Sequence, residues 1–402
     1  MNIGIVTTWF ERGAAYVSKQ YEQVLSRQGN SVYIYARSGE HYARGDKNWD
    51  QPNVYWSKRY AFPVFNYTDS GELLKWAKDN NIDTVIFNEQ YWLPNVLILK
   101  RHGIKVGAYI DYYTQDMLPT FLIYDFLLCN TEKHYIAFKD IHPRALYLPW
   151  GTDTELYNTS HLRKASDKVR FFHSAGMSAY RKGTDLAVRA FLKLSPYELE
   201  KSVLIIHAQR DPFSLLTGEE KSLVEKFIEQ GCIQVIEGTI SAPGLYHYGD
   251  VYVYPSRLDG IGLTIAEAIA SGMPVIVPDD KPMNEFFTPD SYKVKIDKLF
   301  CRADAYYWPM NEVNIDDLCC GYRFYIERKK ILSGYSATAL NYARYSLNFD
   351  RNMVKLTSLI FDSKPTTYDV NMIVKYSNKR FPFIFQLERL YRFMYKVYKG
   401  LK

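Results

Sequence analysis

Two carboxylates, Asp259 and Glu267, stand with seven residues between them in one unusually dense stretch. It reads Tyr254-Pro255-Ser256-Arg257-Leu258-Asp259-Gly260-Ile261-Gly262-Leu263-Thr264-Ile265-Ala266-Glu267-Ala268-Ile269-Ala270-Ser271-Gly272-Met273-Pro274-Val275. A carboxylate can accept two hydrogen bonds at once, which suits it to reading the hydroxyls of a polyol. Gly260 and Gly262 allow backbone N–H groups to face a ligand closely, and a helix beginning at Leu263 favours negative charge at its start. A ligand both hydroxyl-rich and anionic would meet all of these groups. The acidic pair alone is as often a solvated face, and a lone Gly-x-Gly turn is a weak sign. The whole string of some twenty residues is far more specific.

A second cluster lies upstream in Phe172-His173-Ser174-Ala175-Gly176-Met177-Ser178-Ala179-Tyr180-Arg181-Lys182-Gly183-Thr184-Asp185. The pattern predicts a strand, a polar turn and a helix. Arg181 and Lys182 fall where the helix is expected to begin, and positive charge there opposes the helix dipole unless an anion offsets it. A solvated basic pair is the plainer alternative.

These residues need a frame. Apolar runs of strand length alternate with helical patterns, which predicts βαβ units and parallel sheets, an α/β fold. The first set is Ile3–Thr8, a helix over Ala14–Arg27, then Val32–Ala36, Thr84–Asn88, Val106–Asp111, Tyr124–Cys129 and Leu146–Leu148. The second is Val169–Ser174, Val203–His207, Ile233–Glu237, Val251–Tyr254, Val275–Val277 and Tyr292–Ile296. Between them, Pro149-Trp150-Gly151-Thr152-Asp153 and the polar stretch Asn158–Asp167 read as the linker. Domains are expected over 1–155 and 156–330, with helices over 331–365 returning toward the first lobe and a basic, aromatic amphipathic tail over 366–402. Two consecutive doubly wound halves leave a cleft, and ligands of such sheets bind outside the carboxyl ends of the strands.

The bulk properties fit this frame. The chain has 402 residues, 47% of them hydrophobic and 23% charged, enough for two cores and ordinary for a globular enzyme. Five scattered cysteines show no zinc or disulfide spacing, which points to a reducing, cytoplasmic compartment. No signal peptide or membrane-spanning run is visible, and nothing suggests a nucleic-acid partner. The net charge of +6 is carried by Lys379–Lys402, where seven basic residues face one acid, Glu388. In this tail Phe383, Leu387, Leu390, Met394, Val397 and Leu401 form one helical stripe, widened by Ile384, Tyr391, Tyr395 and Tyr398. Arg389, Arg392, Lys396 and Lys399 lie on the other side. A basic, aromatic amphipathic helix suits an anionic membrane surface; packing on the body or a dimer contact is the alternative.

The Asp259–Glu267 stretch resembles the retaining glycosyltransferases of the GT-B fold, family 4 (group 1) above all. Their hallmark is Glu, seven residues, Glu, within Pro-Ser…Glu-Gly-Phe-Gly-Leu…Glu-Ala-Met-Ala…Gly-x-Pro-Val. The resemblance covers roughly residues 1–360 and is strong only in the second lobe. It implies two Rossmann-like doubly wound domains facing a central cleft, with C-terminal helices. It implies transfer of a sugar from a UDP- or GDP-linked donor to a glycan or lipid-linked saccharide acceptor, without a metal or other cofactor, in cell-surface polysaccharide or glycoconjugate synthesis. By resemblance Asp259 contacts hydroxyls of the transferred sugar and Glu267 the ribose, while Gly260, Gly262 and Leu263 form the helix start. Lys182 and Arg181 hold the diphosphate beside Gly176, Gly238 belongs to the loop framing the base, and Glu285 follows the last phosphate-side strand. Gly13 lies in the glycine loop of the first lobe, and Asp111 stands near a position where the family carries His-Asp. The sequence departs from the pattern in three places: Asp at 259 for Glu, Met177 where the family has Arg, and no His before Asp111. These departures keep two rivals open, an inactive nucleotide-sugar-binding relative and a GT-B nucleotide-sugar epimerase.

Overall fold

The computed structural model describes residues 1–37, 43–58, 67–90, 92–380, 383, 386–390, 393–394 and 397. The chain divides into two compact units, Met1–Pro149 with Met353–Lys402, and Trp150–Asn352.

The first unit is built on a parallel seven-stranded sheet. Its strands are β1 (Asn2–Thr7), β2 (Ser31–Ala36), β3 (Val54–Trp56), β4 (Thr84–Asn88), β5 (Lys105–Tyr109), β6 (Phe126–Cys129) and β7 (Ala145–Tyr147), in the order 3-2-1-4-5-6-7. The strand β3, Val54-Tyr55-Trp56, is only three residues long, too short for the hydrophobic pattern to reveal it. The order reverses between β1 and β4. At that point Asn88 donates to the Ala14 carbonyl at 2.7 Å, to Ser18 Oγ at 2.8 Å and to Thr7 Oγ1 at 3.3 Å. The buried Trp9 just beyond β1 donates to the Trp49 carbonyl at 2.7 Å. Beyond β2 the buried Arg37 donates its N–H to the Thr7 carbonyl at 2.9 Å and its guanidinium to the Glu89 carbonyl at 3.1 Å.

The second unit repeats the plan. Its parallel strands are β8 (Val169–Gly176), β9 (Ser202–Ala208), β10 (Ile233–Glu237), β11 (Val251–Val253), β12 (Val275–Pro278) and β13 (Tyr292–Val294), ordered 10-9-8-11-12-13. The reversal falls between β8 and β11, which pair at Phe171 with Val251 and at Phe172 with Tyr252. Fully buried Val169, Phe171, Val251, Val253 and Ile276 make the core of this sheet. Both faces of such a sheet are covered, which explains why these strands read as continuous apolar runs.

Three boundaries differ from the sequence expectation, each for a local reason. The expected strand Tyr292–Ile296 breaks at Lys295, whose N–H goes to Asp317 Oδ2 at 2.7 Å and whose carbonyl accepts from Asn314 at 2.8 Å. Ile296 instead opens an antiparallel hairpin, β14 (Ile296–Phe300) with β15 (Met310–Val313). Second, Trp150 begins the second unit ahead of the polar stretch read as linker, because Thr152 exchanges backbone bonds with Leu347 and Phe349 and Trp150 packs on the Phe349 ring. Third, the helix Leu332–Ser346 stays with the second unit, where Ser336 and Leu340 lie against Gly272. The return to the first unit starts at Met353. Gln28 then donates to the Met353 carbonyl, Lys105 to the carbonyls of Ile360 and Phe361, and Thr366 N–H to Asp125.

Candidate functional site

Beyond β8 the chain makes a single helical turn, Ala179–Lys182, started by the Ser178 side chain. Gly183 ends it in the left-handed region at φ +69°. Only glycine fits there: a Cβ would lie 1.9 Å from the Pro255 carbonyl oxygen. The helix Thr184–Phe191 follows. Arg181 and Lys182 thus close one short helix instead of opening a long one, which relieves the dipole conflict expected from the sequence. Their counter-charge comes from the protein itself.

That counter-charge is Asp259, just past the end of β11. Lys182 Nζ donates to Asp259 Oδ2 at 2.8 Å, and Arg181 reaches the same oxygen at 3.4 Å and the Leu258 carbonyl at 3.2 Å. Tyr254 donates its hydroxyl proton to Asp259 Oδ2 and accepts from Lys182 Nζ. Asp259 Oδ1 accepts from the Gly262 N–H at 3.1 Å. Burial alone would raise the carboxyl's pKa, but Lys182 and Arg181 hold it far below the usual carboxylate range. Burial and the neighbouring Arg181 pull Lys182 down to about 8, against the opposing pull of Asp259. Side chains of this ion pair are only 13% and 12% exposed, so its charges are poorly screened.

Gly262, at φ +93°, begins the helix Leu263–Ala270, which has no side-chain cap and no acid in its first turn. Glu267 lies on this helix and accepts from the Tyr246 hydroxyl. Withdrawal from water raises its pKa, against the opposing effects of the Tyr246 and Tyr157 hydroxyls and Lys182. The site therefore holds two carboxylates displaced in opposite directions, one by cations and one by its dry aromatic surroundings.

Of the residues singled out by sequence, Arg181, Lys182, Asp259 and Gly262 meet in one hydrogen-bonded cluster, with Glu267 within electrostatic reach of Lys182. Gly176 ends β8 at φ +54° and Gly238 follows β10 at φ +116°, both with open space where a Cβ would stand. Gly260 belongs to the turn before Gly262, and Leu263 is the first residue of the helix. Glu285 sits on the short 3-10 turn Met283–Glu285 after β12. Gly13, the first residue of the helix Gly13–Arg27, and Asp111, just beyond β5, belong to the other unit. Met177, in the place of the family's Arg, is half exposed.

Sequence reasoning missed four residues. Arg257, 3% exposed, forms a bidentate ion pair with Asp185, each bond 2.7 Å, and fixes the loop that carries Asp259. Tyr254 bridges Lys182 and Asp259, and Tyr246 holds Glu267. His173 is fully buried between the Val253 carbonyl at 2.9 Å and Thr184 Oγ1 at 2.8 Å. The carbonyl can only accept, so Nδ1 carries the proton, and burial pulls the pKa down to about 4. Arg257 and Tyr254 lie inside the string that drew attention, but Asp185 and Lys182, which they bond, are each 72 residues away.

Two doubly wound parallel sheets, one with an ion-pair cluster at its switch point, define a two-domain α/β fold of the GT-B class. Comparison with known proteins agrees. Residues 160–301 match the model of the family "Glycosyl transferases group 1". The lipopolysaccharide core biosynthesis mannosyltransferase LpsB of Rhizobium meliloti (strain 1021) is 30% identical over 186 residues, covering 44% of this chain and 52% of that protein. The matched stretch thus spans about half the length of that relative. The crystal structure of a glycosyltransferase from Rickettsia africae ESF-5 has the same fold, with TM-score 0.69 at 16% identity over 90% of this chain and 99% of that one. Anabaena Alr3699/HepE, solved in complex with UDP and glucose, gives TM-score 0.66 at 12% identity over 90% and 99%. The match to the glycosyl transferases group 1 family thus falls within the second unit of this chain, in a molecule with the GT-B fold.

Proposed function

We propose that the protein is a retaining, metal-independent glycosyltransferase that moves a sugar from a UDP- or GDP-linked donor to a glycan or lipid-linked saccharide, in cell-surface polysaccharide or glycoconjugate synthesis. The observation that carries this reading is the Arg181–Lys182–Asp259 cluster beside an uncapped helix start at the sheet's switch point. A diphosphate placed there meets two cations and a positive helix end, which together offset the charge that develops on the leaving group. Asp259 stores the cations until the diphosphate draws on them, and its freed oxygens then face the hydroxyls of the transferred sugar. Glu267, held by Tyr246, takes the ribose. In retention the acceptor hydroxyl enters on the face from which the diphosphate leaves. Among the described residues no group of three or more His, Cys, Asp or Glu could hold a metal ion. The relatives' names, a lipopolysaccharide mannosyltransferase and a structure with UDP and glucose, support the donor and product classes.

Nucleoside diphosphate release, followed with and without a saccharide acceptor and in EDTA, tests the reading. Acceptor-dependent release that survives chelation supports it. Turnover of the nucleotide sugar with no diphosphate released would indicate an epimerase, and binding without turnover an inactive relative. Loss in EDTA that Mg²⁺ restores would end the metal-independent part.

The tail adds a location, a peripheral site at the cytoplasmic face of an anionic membrane. Among the described residues no helix is long and apolar enough to cross a membrane. Glu388, the tail's single acid, is buried and accepts from the Ser70 hydroxyl and backbone N–H. Phe383, Leu387, Leu390, Met394 and Val397 are exposed, so the tail docks through its acid while these five side chains face outward. Leu401, Ile384, Tyr391, Tyr395, Tyr398, Arg392, Lys396 and Lys399 lie outside the described residues. Each basic residue near an anionic surface adds about 1 kcal/mol. Leu387→Glu with Leu390→Glu, which leaves Glu388 in place, is expected to abolish co-sedimentation with anionic vesicles and to leave diphosphate affinity unchanged. Full-length protein that ignores such vesicles at low salt would overturn the membrane site.

A further inference from the structure

We propose that Tyr254 is a positioning residue for the sugar contact of Asp259, its hydroxyl filling the space left by the shorter carboxylate and holding that carboxylate in place; this rests on the transferase reading. The family pattern carries Glu where this chain has Asp259, so the carboxylate stands back by one carbon–carbon bond, about 1.5 Å. The Tyr254 hydroxyl lies directly against the retracted group and donates to Oδ2.

The hydroxyl is delivered to a fixed point. Tyr254 is fully buried, and its N–H extends the ladder of β11 by donating to the Ile276 carbonyl at 2.8 Å. Tyr252, two residues earlier, points to the same face of the sheet, and the two rings stack with centroids 5.6 Å apart and planes at 22°. A phenol ring has only two side-chain torsions, so packing of this kind fixes where its oxygen stands.

The charges at the site decide what that oxygen is for. Among the described residues three side chains donate to Asp259 Oδ2: Lys182, Arg181 and Tyr254. Two of them are cations, for which a diphosphate competes. Tyr254 is neutral, and burial beside Asp259 keeps its proton on well above the ordinary tyrosine range. It is therefore the donor that stays when the ligand arrives. Without it the nearly buried carboxylate would give up both cations and keep only the Gly262 N–H, at 3.1 Å from Oδ1. A buried charge so little compensated is costly. With Tyr254 on Oδ2 and Gly262 on Oδ1 both oxygens are aimed, and each keeps a lone pair for a sugar hydroxyl.

Tyr254→Phe combined with Asp259→Glu exchanges one oxygen for one methylene at nearly constant volume, which separates the pair from either residue alone. Full-length protein is titrated calorimetrically with UDP and GDP, and with UDP-glucose, UDP-galactose, UDP-N-acetylglucosamine and GDP-mannose. The Kd of a nucleotide sugar divided by that of its diphosphate reads the sugar contact alone. Each single substitution is expected to raise this ratio about tenfold, the scale of one hydrogen bond to a charged group, and Tyr254→Phe to leave the Kd of UDP or GDP within about twofold. The double substitution is expected to return the ratio to within about threefold of the parent, a coupling that independent residues do not show. Losses that multiply to about a hundredfold overturn the proposal. So does a Tyr254→Phe protein that binds the diphosphate and its nucleotide sugar more weakly by the same factor, which would put the hydroxyl in the service of Lys182. Binding of a diphosphate but of no nucleotide sugar removes the sugar contact itself. Absence of UDP and GDP binding in the parent protein sinks the transferase reading, and this role with it.

Discussion

The two parallel sheets share a strand order and differ at the point where it reverses. In the first unit the reversal between β1 and β4 is closed by Thr7, Ser18 and Asn88, uncharged groups bonded to one another and to backbone, beside the buried Arg37, which donates to the Glu89 carbonyl. In the second, the reversal between β8 and β11 carries Arg181, Lys182 and Asp259, with the Arg257–Asp185 pair beneath them. The same topology therefore supports a mostly neutral seam and an ion-paired one. Where a ligand could bind is set by the sheet; whether the position has chemistry is set by the few residues that follow each strand.

The largest difference is expected from removing one polar group at each reversal. Arg257→Ala leaves the buried Asp185 with Arg189 alone in place of its bidentate partner and is expected to cost about 3 kcal/mol in urea unfolding, the low end for breaking a buried pair. Asn88→Ala strands neutral partners only and is expected to cost roughly 1–3 kcal/mol. Equal losses would erase the distinction between the two seams.

Function separates them next. Lys182→Ala is expected to lower turnover by about 10²–10³-fold, the scale of losing one charged group at a developing anion, and to cost less in urea unfolding than Arg257→Ala because Arg181 and Tyr254 stay on Asp259. A variant that melts early and turns over normally would make Lys182 a structural residue. Glu267→Gln is expected to weaken nucleoside diphosphate binding by roughly 1.5–3 kcal/mol, read by calorimetry, because a charged acceptor is lost. An unchanged Kd would remove Glu267 from the ribose.

The smallest effect is expected from pH. Lys182 stands near 8 and is cationic below that value, so diphosphate affinity is expected to be level up to about pH 7. It should then fall as the lysine loses its proton, by at most about tenfold per pH unit. Sign and window follow from a cation that binds an anion only while protonated. A profile rising through pH 8 to 9 would mean that neutral Lys182 is the binding form.

Much of this site is legible in the sequence because its residues are local. Asp259, Gly262 and Glu267 lie within one turn and one helix, and Lys182 and Gly183 are adjacent, so glycine placement and charge type show in a short window. Arg257 is not legible as an anchor, since Asp185 is 72 residues away and Glu312 is 55 residues away. The alternating frame of strands is legible from apolar runs; β3 is not, being short and half exposed. The hairpin eluded the pattern because its Ile296–Phe300 strand carries two charges in five residues and pairs with only one neighbour. The tail's apolar stripe was visible, whereas the burial of its one acid was not: nothing in a sequence shows that Ser70 waits for Glu388.

The return of the chain at Met353 has a consequence for how the protein is made. The first unit is interrupted in sequence by the whole of the second, and its last pieces arrive only with residues 353 onward. Thr366 satisfies Asp125 beside the buried Lys100, and Thr357 bonds Gln28 and Asn30. On the ribosome, where domains fold in the order they emerge, the earlier unit must wait with these groups uncovered while the later unit is completed. A stop codon placed shortly after Asn352 would leave the Arg181–Asp259 cluster intact and strip the amino-terminal unit of the helices Leu356–Asp362 and Val370–Arg380.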